Sequence, residues 1–290
     1  MFIGPWDNSD CVCAILPVCL EFGSKPAPFN ADKGDGPAFP IYNGPAATRK
    51  ITGKLYDGCA YTNGHIDHSK ELRVPENGSH TAHCIRVPYS QGIDIDQGFT
   101  VHGWININNT FGFFRYLEWF GFHGITKQTP NMSGLYIDKD GFGEGIGQRP
   151  CIGTQTQPHT AYTYGYTDGA PLRSGYHMFT SVKDGPNLRG FIDGVQISQA
   201  IGFPPVQYTG SGTLDRMSFG IRDHWHTEDT KLRGFSKAFV VYNSYIGSER
   251  IANDFAIGPA LGDLRGYHDK DDTMSLFAPT TRTPTGMGYW

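Results

Sequence analysis

From Tyr176 to Ile197 the chain reads Tyr-His-Met-Phe-Thr-Ser-Val-Lys-Asp-Gly-Pro-Asn-Leu-Arg-Gly-Phe-Ile-Asp-Gly-Val-Gln-Ile. His177 to Val182 alternates polar and apolar side chains in part, as a half-buried strand does. Asp184-Gly185-Pro186-Asn187 is a cluster of turn formers, because glycine reaches positive φ and proline fixes its own. Leu188 to Ile192 is the return strand. Asp193-Gly194 is a tight-turn dipeptide, and Val195-Gln196-Ile197 leads out as a third strand. The stretch predicts an all-β meander on which the rest of the chain is organised.

The composition agrees. The chain has 290 residues, with 38 glycines, 19 prolines and 13% aromatic residues, a mixture suited to many short strands and tight turns. This length fits one large sandwich. Working outward, Ile93 to Ile107 is a second strong strand signal. Phe99, Val101, Gly103, Ile105 and Ile107 share one face at a period of two, and Trp104 faces the other way. Lys54 to Tyr61 predicts a first strand, Ile66 to Val74 leads to another, and Arg115 to Phe122 follows. Leu135 to Asp138 and Phe142 to Ile146 flank the turn Asp138-Lys139-Asp140-Gly141. Residues 147–175 lack a sustained period and predict an elaborated loop or edge hairpin. Leu214 to Ile221 and Gly234 to Tyr242 are later strands. Ser248 to Phe255 predicts one or two helical turns, with Ser248 as cap and Ile251, Ala252 and Phe255 as an apolar stripe.

In this order the segments resemble the concanavalin A-like jelly roll, in its laminin G-like and pentraxin-like branch. That family carries a unit of aromatic-His, apolar strand, Asp-Gly turn, strand and Asp-Gly-Val, as at 176–197. Phe99-Thr100-Val101-His102-Gly103-Trp104-Ile105 is similar to another of its strands. Gly234 to Tyr242 is similar to its closing strand, with Ser236-Lys237-Ala238 in place of an acidic pair. The resemblance implies an antiparallel β-sandwich over residues 49–257, with a short helical turn near 248–255. It covers lectins, adhesion modules and glycan hydrolases, so the fold alone does not decide the function.

Residues 1–48 and 258–290 fall outside the resemblance and read as extended arms. Pro5, Pro17, Pro26, Pro28, Pro37, Pro40 and Pro45 recur in the first, and each lacks an amide donor. Phe2, Trp6, Phe22, Phe29 and Phe39 are its candidate anchors on neighbouring subunits, because aromatic side chains bury large areas. Six cysteines occur, at 11, 13, 19, 59, 84 and 151. They read as buried thiols, with disulfides among Cys11, Cys13 and Cys19, or metal binding, as alternatives.

The net charge of -4 and the lack of a basic patch argue against nucleic acid. The apolar run Cys11 to Leu20 contains Pro17 and has about half the roughly 20 residues that a membrane helix needs. No Lys or Arg precedes it, so it does not read as an export signal. Glycoside hydrolysis needs two carboxylates about 5 Å apart in its retaining form. No strand carries such a pair: Glu71 and Glu76 are split by Pro75, Glu144 stands alone, and Glu228-Asp229 lies in a polar loop. Calcium, which takes hard oxygen ligands, has candidates in Asp138 and Asp140, with Asp94 and Asp96 as weaker ones. His65, His68, His80 and His83, near Cys59 and Cys84, have loose zinc-like spacing. His224, Trp225 and His226 are the carbohydrate candidates, an aromatic face between polar groups.

These readings lead to an expected non-enzymatic structural or interaction protein. The arms would anchor it to other subunits, as in a bacteriophage virion, and make it a homo-oligomer. The alternative is a secreted or surface lectin for cell-surface glycans, with calcium as its possible ion. A glycan hydrolase is the distant third.

Overall fold

The structure is a computed structural model. It describes residues 9–16, 29–30, 35–39, 41–47, 53–56, 60–62, 65–68, 85–88, 98–107, 119–124, 132–138, 149–155, 176–200, 214–219 and 234–258. The strands are β1 (Cys11–Ile15), β2 (Phe29–Asn30), β3 (Asp35–Phe39), β4 (Tyr42–Asn43), β5 (Gly53–Tyr56), β6 (Ala60–Thr62), β7 (His65–Asp67), β8 (Ile85–Pro88) and β9 (Gly98–Ile107). They continue as β10 (Phe120–Gly124), β11 (Met132–Asp138), β12 (Arg149–Gln155), β13 (Tyr176–Asp184), β14 (Asn187–Ile192), β15 (Val195–Ala200), β16 (Leu214–Phe219) and β17 (Gly234–Tyr242), followed by the helix α1 (Ser248–Ile257).

Two antiparallel sheets face each other. The larger runs β15-β14-β13-β9-β17-β7-β6-β2, with β1 on β17 and β4 on β1; the smaller runs β12-β11-β10-β16-β8-β5-β3. The meander of residues 176–197 is present as β13, β14 and β15. Asp184 pairs with Asn187, which leaves Gly185-Pro186 as a two-residue loop. Gly185 has φ 53, as a turn with positive φ at its first position requires. Ile192 pairs with Val195 across Asp193-Gly194, whose φ values are 51 and 81. Asp193 is held in this unusual conformation by three contacts. Its Oδ1 accepts from the Met178 amide at 2.9 Å, and its Oδ2 accepts from His177 Nδ1 at 2.6 Å. Its own amide donates to the Met178 carbonyl at 2.8 Å. The histidine at the start of the unit and the aspartate at its second turn are thus one clamp.

β9 lies between β13 and β17, with Gly103 opposite Phe179 on one side and Phe239 on the other. That face meets the smaller sheet: Phe99 packs edge-on to Phe120 at 6.1 Å, and Phe219 meets Phe239 at 4.9 Å. Trp119 fills the hollow over Gly103 and stacks on Phe239 at 6.2 Å. The opposite face, with Trp104, Met178, Val182, Phe191 and Val240, is covered by Ile251 of α1 and by Cys11, Ala14 and Leu16. The centre of the larger sheet is therefore buried on both sides. That is why β13 and β17 alternate so weakly, with polar side chains such as Thr180, Ser181 and Ser236 buried among the apolar ones. Phe99, Val101, Ile105, Phe179, Phe191, Ile192 and Phe239 are all buried. Phe191, however, lies under the helix, outside the space between the sheets.

Several expectations need correction. Residues 11–15, placed in an arm, are a buried strand paired with Phe239 to Tyr242. β17 is long enough to take β7 at Phe235–Ser236 and β1 further along the same edge. Phe29 pairs with Tyr61 and Phe39 with Gly53, both within the chain. Lys54 to Tyr61 is not one strand: β5 and β6 belong to different sheets. Ser248 does not cap the helix. Gly247 holds that position, and the Ser248 hydroxyl is 2.7 Å from Tyr245 Oη. Ala252 is exposed; Ile251 and the half-buried Phe255 pack on the core as expected, and Asp254, one turn after Ile251, is buried with them.

Candidate functional site

The structure describes only some of the residues singled out for chemistry. Asp138 ends β11 and pairs with Arg149 of β12, so the partner strand begins at Arg149 and not at Phe142. Asp140, His224, Trp225, His226, Phe2, Trp6, Phe22 and Cys19 lie outside the described residues, as do Asp94, Asp96, Cys59, Cys84, His80 and His83. Two of the histidines with zinc-like spacing are packed against β17. His68 is fully buried with Nε2 2.8 Å from Ser236 Oγ, and His65 lies edge-on to Phe235 at 5.0 Å. Among the described residues no group of His, Cys, Asp or Glu is arranged to hold a metal ion.

Cys11 and Cys13 are free, buried thiols. A bulge between them puts Cys11 opposite Tyr242 and Cys13 opposite Val241, on opposite faces of β17. A bond between these two is therefore ruled out by their directions. Burial pushes the Cys13 thiol up to about 12. Burial, then the charges of Cys13 and Asp254, push Cys11 well above the thiol range. Neither is a nucleophile at neutral pH, since the thiolate is the reactive form. Because the folded chain holds both protons more tightly, stability is intact below about pH 9 and falls as pH rises towards 12. With reductant present, urea unfolding should show that fall. Cys13→Ala should flatten it by about one proton, roughly 1.4 kcal/mol per pH unit. An unchanged slope in that variant would contradict the assignment.

The most connected polar group lies where sequence reasoning placed only an apolar helix stripe. Asp254 is fully buried under α1. Its Oδ2 accepts from Tyr242 Oη at 2.9 Å and from His102 Nε2 at 3.2 Å, and its Oδ1 accepts from Arg250 Nε at 2.6 Å. A carboxylate only accepts, so His102 carries a proton on Nε2. A neutral ring then accepts at Nδ1 from Thr180 Oγ1, 2.8 Å away. Burial, then the Asp254 charge, push the Tyr242 phenol well above its ordinary range. His102, Thr180 and Asp254 are all shut off from solvent. The group resembles an acid-base cluster in composition, but it touches no surface where a substrate would sit. It ties α1 to the centre of β9. Asp254 and His102 are 152 residues apart, so no spacing in the sequence announces the pair.

A second polar group is open. Arg189 of β14 stacks its guanidinium 5.1 Å from the Tyr245 ring centroid and reaches Asp184 Oδ2 at 3.4 Å. Gln199 pairs opposite Arg189 on β15 and is exposed. Ser248, also exposed, bonds Tyr245 at the start of the helix. Arg189 Nε and Asn187 Oδ1 are buried atoms with no hydrogen-bond partner. Of these, Asp184, Asn187 and Arg189 were read from the sequence only as turn and strand and Ser248 as a helix cap, while Gln199 and Tyr245 were not singled out.

No protein-family model matches the chain. No curated protein matches it either. Solved structures do. A Trypanosoma rangeli sialidase in complex with a difluoro-nononic acid aligns over 86% of this chain at 12% identity, with a TM-score of 0.52. The match takes in 32% of the sialidase, so this chain spans about a third of its length. The binding domain of botulinum neurotoxin serotype D aligns over 85% of this chain and 51% of its own, at 14% identity and a TM-score of 0.52. The fold is an antiparallel β-sandwich of jelly-roll type. A heptameric pentraxin from Limulus polyphemus aligns over 54% of this chain and 68% of its own at 12% identity, and its TM-score of 0.40 is too low to assign the branch.

Proposed function

We propose that this chain is a non-enzymatic carbohydrate-binding module of the laminin G-like and pentraxin-like branch. What supports the reading is a likeness in fold to a neurotoxin's binding domain and to part of a sialidase, each over most of this chain. One further observation bears on the non-enzymatic part. The buried acid Asp254 is held by Tyr242, His102 and Arg250, which leaves it no substrate to protonate. The assembly reading has lost part of its motive, because the segments 11–15, 29–30 and 35–39 of the expected arm pair within their own chain.

The test is an array of neutral and acidic oligosaccharides, probed with calcium and again with a chelator. Binding of a defined glycan class without release of product is the expected result. Loss on chelation would bring in Asp138 and Asp140 as calcium ligands. Hydrolysis that vanished on replacing a single Glu would overturn the non-enzymatic reading.

A further inference from the structure

Asp-Gly is a reactive pair as well as a turn former. The amide nitrogen that follows an aspartate can attack the side-chain Cγ, and glycine, with no side chain, hinders that attack least. The sequence carries six such dipeptides, at Asp35, Asp57, Asp140, Asp168, Asp184 and Asp193. The structure describes the side chains of Asp184 and Asp193, and it surrounds them differently.

Asp193 is locked at both residues of its pair. Its Oδ1 accepts from the Met178 amide at 2.9 Å and its Oδ2 from His177 Nδ1 at 2.6 Å. Swinging Cγ over the Gly194 nitrogen would break both bonds. Gly194 has no space either: a Cβ there would lie 2.9 Å from Ala252 Cα and 3.4 Å from Phe255 Cβ, so α1 packs directly on this turn. Asp184 has neither restraint. Its carboxylate is 39% exposed, and its contact is with Arg189 Nη2 at a long 3.4 Å. Among the described residues nothing lies within 4 Å of a Cβ position on Gly185, which leaves room for a ring. Asp184 is also the last residue of β13, so freeing its backbone breaks the terminal pairs with Asn187 and Gly98 and no interior one.

We propose that Asp184 is a site of spontaneous isoaspartate formation in the folded chain, and that Asp193 is shielded from the same reaction. The Gly185 nitrogen attacks Cγ of the neutral Asp184 carboxyl. An N–Cγ bond forms, a Cγ–O bond breaks, and the hydroxyl leaves with the amide proton as water. The product is a five-membered succinimide. Water then opens the ring at either carbonyl. One opening returns aspartate; the other leaves isoaspartate, in which the main chain runs through the side-chain carboxyl. One water leaves and one enters, so the reaction needs no oxidant or cofactor. The change adds a methylene to the backbone of the β13–β14 turn and takes away the side-chain carboxylate that faces Arg189. It is independent of whether the chain binds carbohydrate.

The experiment ages the full chain in warm neutral buffer made with oxygen-18 water, once folded and once in urea. Peptide mapping with electron-transfer fragmentation locates isoaspartate and the labelled oxygen at each aspartate. Each site is compared with its own rate in urea, which cancels the effect of its sequence neighbours. Expected are labelled isoaspartate at Asp184 in the folded chain, and a protection of Asp193 greater than that of Asp184 by about tenfold or more, since opening Asp193 must break its clamp and its packing on α1. In Asp184→Glu the ring would need six members, so the signal at this position should vanish while that at Asp193 stays as in the parent. Equal protection of the two sites would overturn the proposal. So would a folded chain that forms no isoaspartate at Asp184 while the chain in urea does.

Discussion

Asp254→Ala should cost about 3–5 kcal/mol of folding stability and lower the thermal midpoint by roughly 10 °C. The removed carboxylate is fully buried and accepts hydrogen bonds from Tyr242, His102 and Arg250. Truncation leaves the Tyr242 phenol and the His102 ring without their acceptor in a dry space, and leaves Arg250 without its counter-charge. Arg250 is 36% exposed and recovers water, so the buried phenol and imidazole bear most of the loss. Asp254→Asn keeps the shape and one acceptor oxygen and should cost less. Urea unfolding followed by far-UV circular dichroism gives the number. A loss below about 1 kcal/mol for the alanine variant would mean that α1 is held by Ile251 and Phe255 alone.

The second large effect is expected between the sheets. Trp119→Ala should cost about 3–5 kcal/mol, because it empties the space over Gly103 and removes the ring stacked on Phe239. Trp119→Phe should cost less, since it keeps an aromatic ring and removes an indole Nε1 that is buried without a hydrogen-bond partner. The tryptophan and the glycine are matched. A Cβ at position 103 would lie 2.6 Å from Trp119 Cζ3 and 2.7 Å from Cε3. Gly103→Ala alone should therefore cost about 1–3 kcal/mol by overpacking. In the Trp119→Ala background the added methyl has room, so the two losses should fall short of additive by about 1 kcal/mol or more. Strict additivity in the double-mutant cycle would show that Trp119 does not sit on Gly103.

What the sequence determined by itself was local. The dipeptides Asp193-Gly194 and Gly185-Pro186 fix their turns through backbone conformation alone, and their pairings follow at once. The period of two from Phe99 to Ile107 marked one face of β9, and Gly234 to Tyr242 was legible as a closing strand with its limits intact. From these the all-β sandwich could be read.

Tertiary structure decided what lies on the second face of the larger sheet. Trp104 marked that face as apolar, but nothing near it in sequence says that α1 and β1 cover it. The strand Cys11–Ile15 is short, sits among prolines and has no alternation, because both of its faces are buried; local pattern therefore could not tell it from an arm. Nothing in the sequence of the short helix sets Asp254 apart. Its role depends on His102, Thr180 and Tyr242, three strand residues that only the folding of β9, β13 and β17 into neighbours brings beneath it. Arg189 and Tyr245 likewise meet only because the segment leading into α1 is brought beside β14. Turn chemistry and strand period act over a few residues and are written in order along the chain. Burial of a charge, and the partners that make it tolerable, depend on segments far apart in sequence, so only the closed fold places them.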